Sequence, residues 1–147
     1  MPDMDEVVRW LGEQLDADER IARAACWDDQ SDVWTARPPQ GRYAQYERYT
    51  VVDYLDDGVV VVTPENADAD GVGQHVAEWD PRRALREIDA KRQLLDLHAP
   101  GEMEHVDGDV CMTCDLREPE PFYPCKTLRL LALPYADRPG YREEWRP

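Results

Sequence analysis

Hydrophobic positions recur along residues 4–26 with a helical period: at 100° per residue, Met4, Val7, Val8, Leu11, Leu15, Ala22, Ala25 and Cys26 fall in one stripe, interrupted by Asp18. The pattern predicts an amphipathic helix facing a core. Asp3 followed three residues later by Glu6 resembles a capping box, and Asp5 and Glu6 suit the positive end of the helix dipole. From Asp28 to Gln40 the chain turns polar, and Pro38-Pro39 marks an extended loop. Tyr49–Leu55 and Val59–Thr63 are then rich in β-branched and aromatic residues. Asp56-Asp57-Gly58 between them carries the Asp-Gly pair of a tight hairpin. Residues 64–73 read as a loop, Gln74–Trp79 as a returning strand, and Val33–Ala36 as a further strand.

Asp80-Pro81 is a helix start, because Asp caps free N–H groups and Pro at the first helical position loses no hydrogen bond. The helix is expected to run to about His98, with Ala84, Leu85, Ile88 and Leu95 on one face, and to end at His98-Ala99-Pro100. Residues 101–124 are acid-rich, carry Pro119, Pro121 and Pro124, and hold few core-forming side chains. By composition alone they form an unstable loop. A last helix is expected over about Thr127–Leu133, followed by an aromatic, charged tail. These elements predict one α+β domain over residues 1–147. In it an N-terminal and a central helix cover a small antiparallel sheet (residues 1–80 contribute the first helix and a β-meander), and residues 81–147 form the central helix, a stapled C-terminal segment and a short helix.

Composition narrows the function. The 147 residues carry 32 Asp plus Glu against 17 Lys plus Arg, a formal net charge of -15. Such a field repels DNA and anionic lipid, so nucleic acid and membrane are disfavoured partners, and another protein is the expected one. No apolar run approaches the roughly 20 residues of a membrane span, and Met1–Asp5 lacks a secretory start, which makes the cytoplasm the expected compartment. Acidity also admits a different class of function, an acidic DNA mimic that occupies the basic cleft of a nucleic-acid enzyme and inhibits it. Salt-sensitive binding would mark the mimic, and salt-tolerant binding through exposed Trp or Tyr an ordinary interaction module.

Three of the four cysteines, Cys111, Cys114 and Cys125, fall within fifteen residues; Cys26 stands apart. Cys111-Met-Thr-Cys114 has the spacing of a zinc knuckle, and Cys125 opens the last expected helix. The fourth ligand is open among His98, His105, an acid and Cys26. His98 is favoured, because a ligand on a rigid helix end tethers the 101–124 loop to the folded body. Four protein ligands close a tetrahedron and leave no position for water, so the expected zinc is structural. A redox dithiol at Cys111 and Cys114 is the alternative. It would require a cysteine at a helix N-terminus, whereas the acidic flanks Asp109 and Asp115 raise a thiol's pKa.

The run Asp80-Pro-Arg-Arg-Ala-Leu-Arg-Glu-Ile-Asp-Ala-Lys-Arg, the later Leu97-His98, the Cys-x2-Cys, and Tyr123-Pro-Cys-Lys-Thr-Leu-Arg-Leu-Leu-Ala-Leu-Pro-Tyr-Ala-Asp together resemble an uncharacterised family of unknown function. The family this likeness points to occurs in Streptomyces, related actinobacteria and their phages. The likeness is close over residues 80–147 and loose over the first helix. It implies that His98 and the three cysteines act as a set, and it implies no activity. It also implies His at position 79, where this chain carries Trp79, which sets that position aside as a ligand.

Tests for catalysis come out negative. None of His75, His98 and His105 begins the His-x-Glu of a zinc deaminase, there is no HExxH, and Gly71-Val-Gly73 lacks the rest of a phosphate loop. The chain is therefore expected not to be an enzyme. Arg82, Arg83 and Arg86 form a basic patch on the central helix: residues 81–98 carry five Lys plus Arg against three Asp plus Glu, while residues 1–80 carry six against nineteen. That patch reads as a solvated face paired with acids, or as a docking surface for a protein or a phosphate-bearing ligand. Tyr135, Tyr141 and Trp145 in the tail read as core-closing residues, with partner contact as the alternative.

Overall fold

A computed structural model describes residues 6–37, 49–62, 69–114 and 123–147. In chain order the elements are α1 (Glu6–Ala24), β1 (Thr35–Arg37), β2 (Tyr49–Val52), β3 (Gly58–Val62), α2 (Ala69–Glu78), α3 (Pro81–Leu97), β4 (Pro100–Gly101), β5 (Val110–Cys111) and α4 (Lys126–Ala132). Two 3₁₀ turns, Leu133–Tyr135 and Glu143–Trp145, complete the tail. The architecture is α+β. It divides into two compact units that interleave along the chain, Met1–Ala17 with Ile88–Pro147, and Asp18–Glu87. Asp3, Met4, Pro38–Gln40 and residues 63–68, on which parts of the expected pattern fell, lie outside the described residues.

The unit Asp18–Glu87 holds an antiparallel sheet in the order β1-β2-β3, with Ala36 opposite Val51 and Val51 opposite Val60. The expected hairpin joins β2 to β3. Its tightness comes from Asp53, whose Oδ1 accepts hydrogen bonds from the backbone N–H of Leu55 (2.9 Å) and Asp57 (2.8 Å). The left-handed residue is Asp56, at φ 63°, which Asp tolerates better than most side chains.

Of the stretch expected to return as a strand, Gln74–Trp79, all but Trp79 instead belongs to helix α2, which packs against all three strands. Two glycines and a β-branched pair, Val72 and Val76, weigh against a helix by propensity. Packing overrides that preference: Ala77 is buried, on a face fixed by contact with the sheet. Helix α3 begins as expected. Asp80 Oδ1 accepts the Arg83 N–H at 2.9 Å, and Asp80 Oδ2 accepts the Trp34 N–H at 3.1 Å, so one carboxylate caps α3 and ties down the approach to β1.

The other unit is built around one apolar cluster. The predicted stripe of α1 supplies Val7, Leu11 and Leu15; α3 supplies Ile88 and Leu95, and α4 supplies Leu128 and Ala132. Trp10, on the flank of that stripe, is also buried and anchors the tail. Its indole N–H donates to Pro139 O at 3.0 Å, and its ring meets Trp145 at 5.4 Å, Tyr141 at 5.8 Å and Tyr135 at 6.4 Å between centroids. Tyr135 and Trp145 are buried and Tyr141 half-buried, so the tail aromatics close the core.

Gly140 sits in this cluster with φ 89°, and a Cβ there would lie 2.7 Å from Trp10 Nε1. Gly108 has a similar φ of 98° but open space around it. Gly108→Ala is expected to cost about 1 kcal/mol for backbone strain alone. Gly140→Ala should cost at least about 1 kcal/mol more, because Trp10 must move. Urea unfolding of the two variants checks this; equal losses would show that Trp10 yields freely.

Candidate metal centre

Four pieces of local structure bring four side chains to one point. His98 follows the last turn of α3, where its N–H still bonds Leu94 O at 3.1 Å, and Ala99-Pro100 then turns the chain out of the helix. The short ladder of β4 and β5 pairs Pro100 with Cys111, which returns the chain beside His98. Residues 111–114 form the knuckle, and the Thr113 hydroxyl fastens it to α3 by donating to Leu97 O. Cys125 occupies the N-cap of α4.

The ligand atoms of His98, Cys111, Cys114 and Cys125 all lie within 4.8 Å of one another. The histidine faces the sulfurs through Nδ1, at 3.3 Å from Cys111 Sγ, 3.5 Å from Cys114 Sγ and 3.6 Å from Cys125 Sγ. Zinc bonds of about 2.3 Å to sulfur and about 2.0 Å to nitrogen, set at tetrahedral angles, predict an N-to-S edge of about 3.5 Å. The observed edges match that value, so the residues have the arrangement of a zinc site. His98, Cys111 and Cys125 are buried and Cys114 is half-buried.

The electrostatics of the sulfurs agree with this chemistry. Burial opposes ionisation of Cys111, but the backbone N–H groups of Cys114 and Thr113, with hydrogen bonds from the other two thiols, outweigh it and hold its pKa below the ordinary thiol value. Burial pushes the Cys125 thiol up to about 12, against the pull of the Leu128 N–H, because Cys114 and Cys111 compete with it for negative charge. Three sulfurs crowded in one apolar pocket cannot all ionise alone; a bound cation removes that conflict by compensating the thiolates. The Thr127 hydroxyl stands 4.0 Å from Cys114 Sγ, and no spacing argument singled it out.

The alternative ligands lie elsewhere. His105 is exposed on a turn at φ 68°, with Glu104 at 3.6 Å. Cys26 belongs to the other compact unit, where its thiol donates to Ala22 O at 3.3 Å and burial and Asp32 raise its pKa. Spacing had selected the cysteines; the structure supplies what spacing lacked, the β4–β5 pairing that carries Cys111 to His98 and the use of Nδ1.

The fold and the cluster together define a small α+β protein with a His/Cys3 centre. The chain belongs to a family of unknown function (DUF6221), whose model matches residues 4–147. No curated protein and no solved structure matches it. No helix among the described residues is long and apolar enough to cross a membrane.

In chelator-treated protein at pH 8, iodoacetamide is expected to modify Cys114 before Cys125, since Cys114 is half-buried and Cys125 is both buried and held protonated. Peptide mass spectrometry checks the order, and equal rates would mean that the pocket is open in the metal-free protein.

Proposed function

We propose that the protein is a small acidic structural-zinc protein that works as a protein-interaction module and performs no catalysis. In this reading His98, Cys111, Cys114 and Cys125 hold one Zn²⁺, and the convergence of their four ligand atoms within 4.8 Å is the observation that carries it. The ion supplies folding free energy, of order 10 kcal/mol in small zinc modules, to a segment whose own apolar content is low. Four protein ligands leave no coordination position for a substrate or water, which supports a structural role. The interaction part of the reading is supported by apolar side chains left exposed around the centre, Leu97 at 58% and Met112 at 56%. A cytoplasmic location follows the same reading.

A second reading is favoured by the charge of -15: the acidic surface imitates the phosphates of DNA and blocks a basic enzyme cleft. Its binding would collapse as salt rises, whereas binding through apolar side chains would persist.

Native mass spectrometry is expected to find one zinc per chain in the wild type, in Cys26→Ser and in His105→Ala, and less in Cys111→Ser and His98→Ala. A full complement of metal in His98→Ala would remove the ligand assignment. Chelation should increase hydrogen exchange first in residues 100–147, and uniform loss across the whole chain would contradict a local staple. Metal occupancy should also fall as pH is lowered, because protons compete for the thiolates and imidazole.

A further inference from the structure

The unit Asp18–Glu87 contains a wedge whose chemistry the metal centre does not use. Residues 32–34 are pinned to the start of α3: Arg82 N–H donates to Asp32 O at 3.0 Å, the Arg82 guanidinium grips the Asp32 carboxylate at 3.0 and 3.2 Å, and Asp80 holds the Trp34 N–H. Beyond that pin a cavity of about 620 Å³ opens, lined by Thr35 and Ala36 of β1, Ala77 and Glu78 of α2, and Arg83 and Arg86 of α3. Its volume is that of a small-molecule site, about 300–1,000 Å³.

The walls differ in kind. Among the described residues β1 is an edge strand, paired with β2 on one side and with no strand on the other, which leaves backbone donors and acceptors on that side for pairing. On the facing wall Arg83 is held rigidly. Its Nε donates to Glu87 Oε1 at 3.0 Å, its Nη1 to Glu78 O at 3.3 Å, and its guanidinium lies 3.9 Å from the Trp79 ring centroid. Nη2 remains uncommitted among the described residues. Arg86, one turn further on, is exposed and has no ion pair among the described residues.

Two acids also line the cavity, and among the described residues neither forms an ion pair with Arg86. Both Asp80 oxygens are engaged by backbone N–H groups, and Glu78 is 71% exposed and 4.0 Å from Arg83 Nη1. Glu87 already compensates the charge of Arg83, so Arg86 is the guanidinium beside the cavity that stands without an ion pair among the described residues, and Arg83 offers its Nη2. The formal charge of -15 on the whole chain opposes polyanions most and a single carboxylate least, and the planar Arg fork matches a carboxylate in shape.

We infer that this wedge binds a carboxylate that neighbours an amide: the carboxylate meets Arg83 and Arg86, and the amide pairs with the open edge of β1. Both an N-acyl amino acid and the C-terminus of a peptide carry this chemistry.

Titrating the full-length, zinc-loaded protein with N-acetylalanine and with N-acetyl-trialanine, followed by amide NMR, tests the assignment and separates the two sources. Both probes are expected to shift the backbone amides of Thr35 and Ala36. Similar affinities identify a small-molecule site; about fivefold or tighter binding of the tripeptide identifies a peptide terminus, through added edge hydrogen bonds. Arg86→Gln, at an exposed position, should retain the melting temperature and weaken binding about tenfold. The inference is overturned if neither probe causes shifts at about 10 mM, or if Arg86→Gln binds as well as the wild type. It is equally overturned if the neutral amide of N-acetylalanine, or inorganic phosphate, binds as tightly as N-acetylalanine.

Discussion

Three sulfurs and one imidazole nitrogen converge on a single point, and the elements that carry the cysteines there are short. β4 and β5 contribute two residues each, well under the length at which a hairpin is stable by itself. α4 has seven residues, about half the length at which an isolated helix becomes marginal in water. β5 ends in Cys111, Cys125 is the N-cap of α4, and His98 stands two residues before β4. Cys111 and Cys125 also belong to the same apolar cluster as Leu128, Trp10 and Leu11. Centre and core are therefore one object, and the knuckle is positioned by hydrophobic packing as much as by its own turns.

Local chemistry made much of this legible in the sequence. The α1 stripe, the Asp80-Pro81 helix start, the break at Ala99-Pro100 and the hairpin at Asp56-Asp57-Gly58 all rest on interactions between residues close in the chain. α2 was not legible: Gly71 and Gly73 suggest a loop and Gln74–Trp79 after them reads as a strand, because the sheet that stabilises the helix is invisible to a local pattern. At the centre, the cysteines were readable from spacing. His98 could be favoured but not separated from His105, since the β4–β5 pairing that brings Cys111 back to His98 is a tertiary fact. The resemblance over residues 80–147 agreed with the family match but added no chemistry beyond that set.

The division into units has the same origin. Residues 6–17 reach their partners only after some seventy residues have intervened, and the stripe of α1 says that a core exists without saying which later segment supplies it. The arginines of α3 make a related point. Arg82 and Arg83 are taken up by Asp32 and Glu87, as a paired surface would have them, while Arg86 stands beside a cavity that only the meeting of β1, α2 and α3 creates.

The aromatic knot around Trp10 gives the molecule a built-in optical gauge. Two indoles and two phenols lie with ring centres 5.4 to 6.4 Å apart, at inclined angles and within a rigid interior. Chromophores at such spacing couple their transition dipoles and pass excitation from tyrosine to tryptophan. Near-ultraviolet dichroism should therefore carry a coupled signal from this corner, reporting whether the C-terminal tail is seated independently of what the backbone signal says about helices and strands.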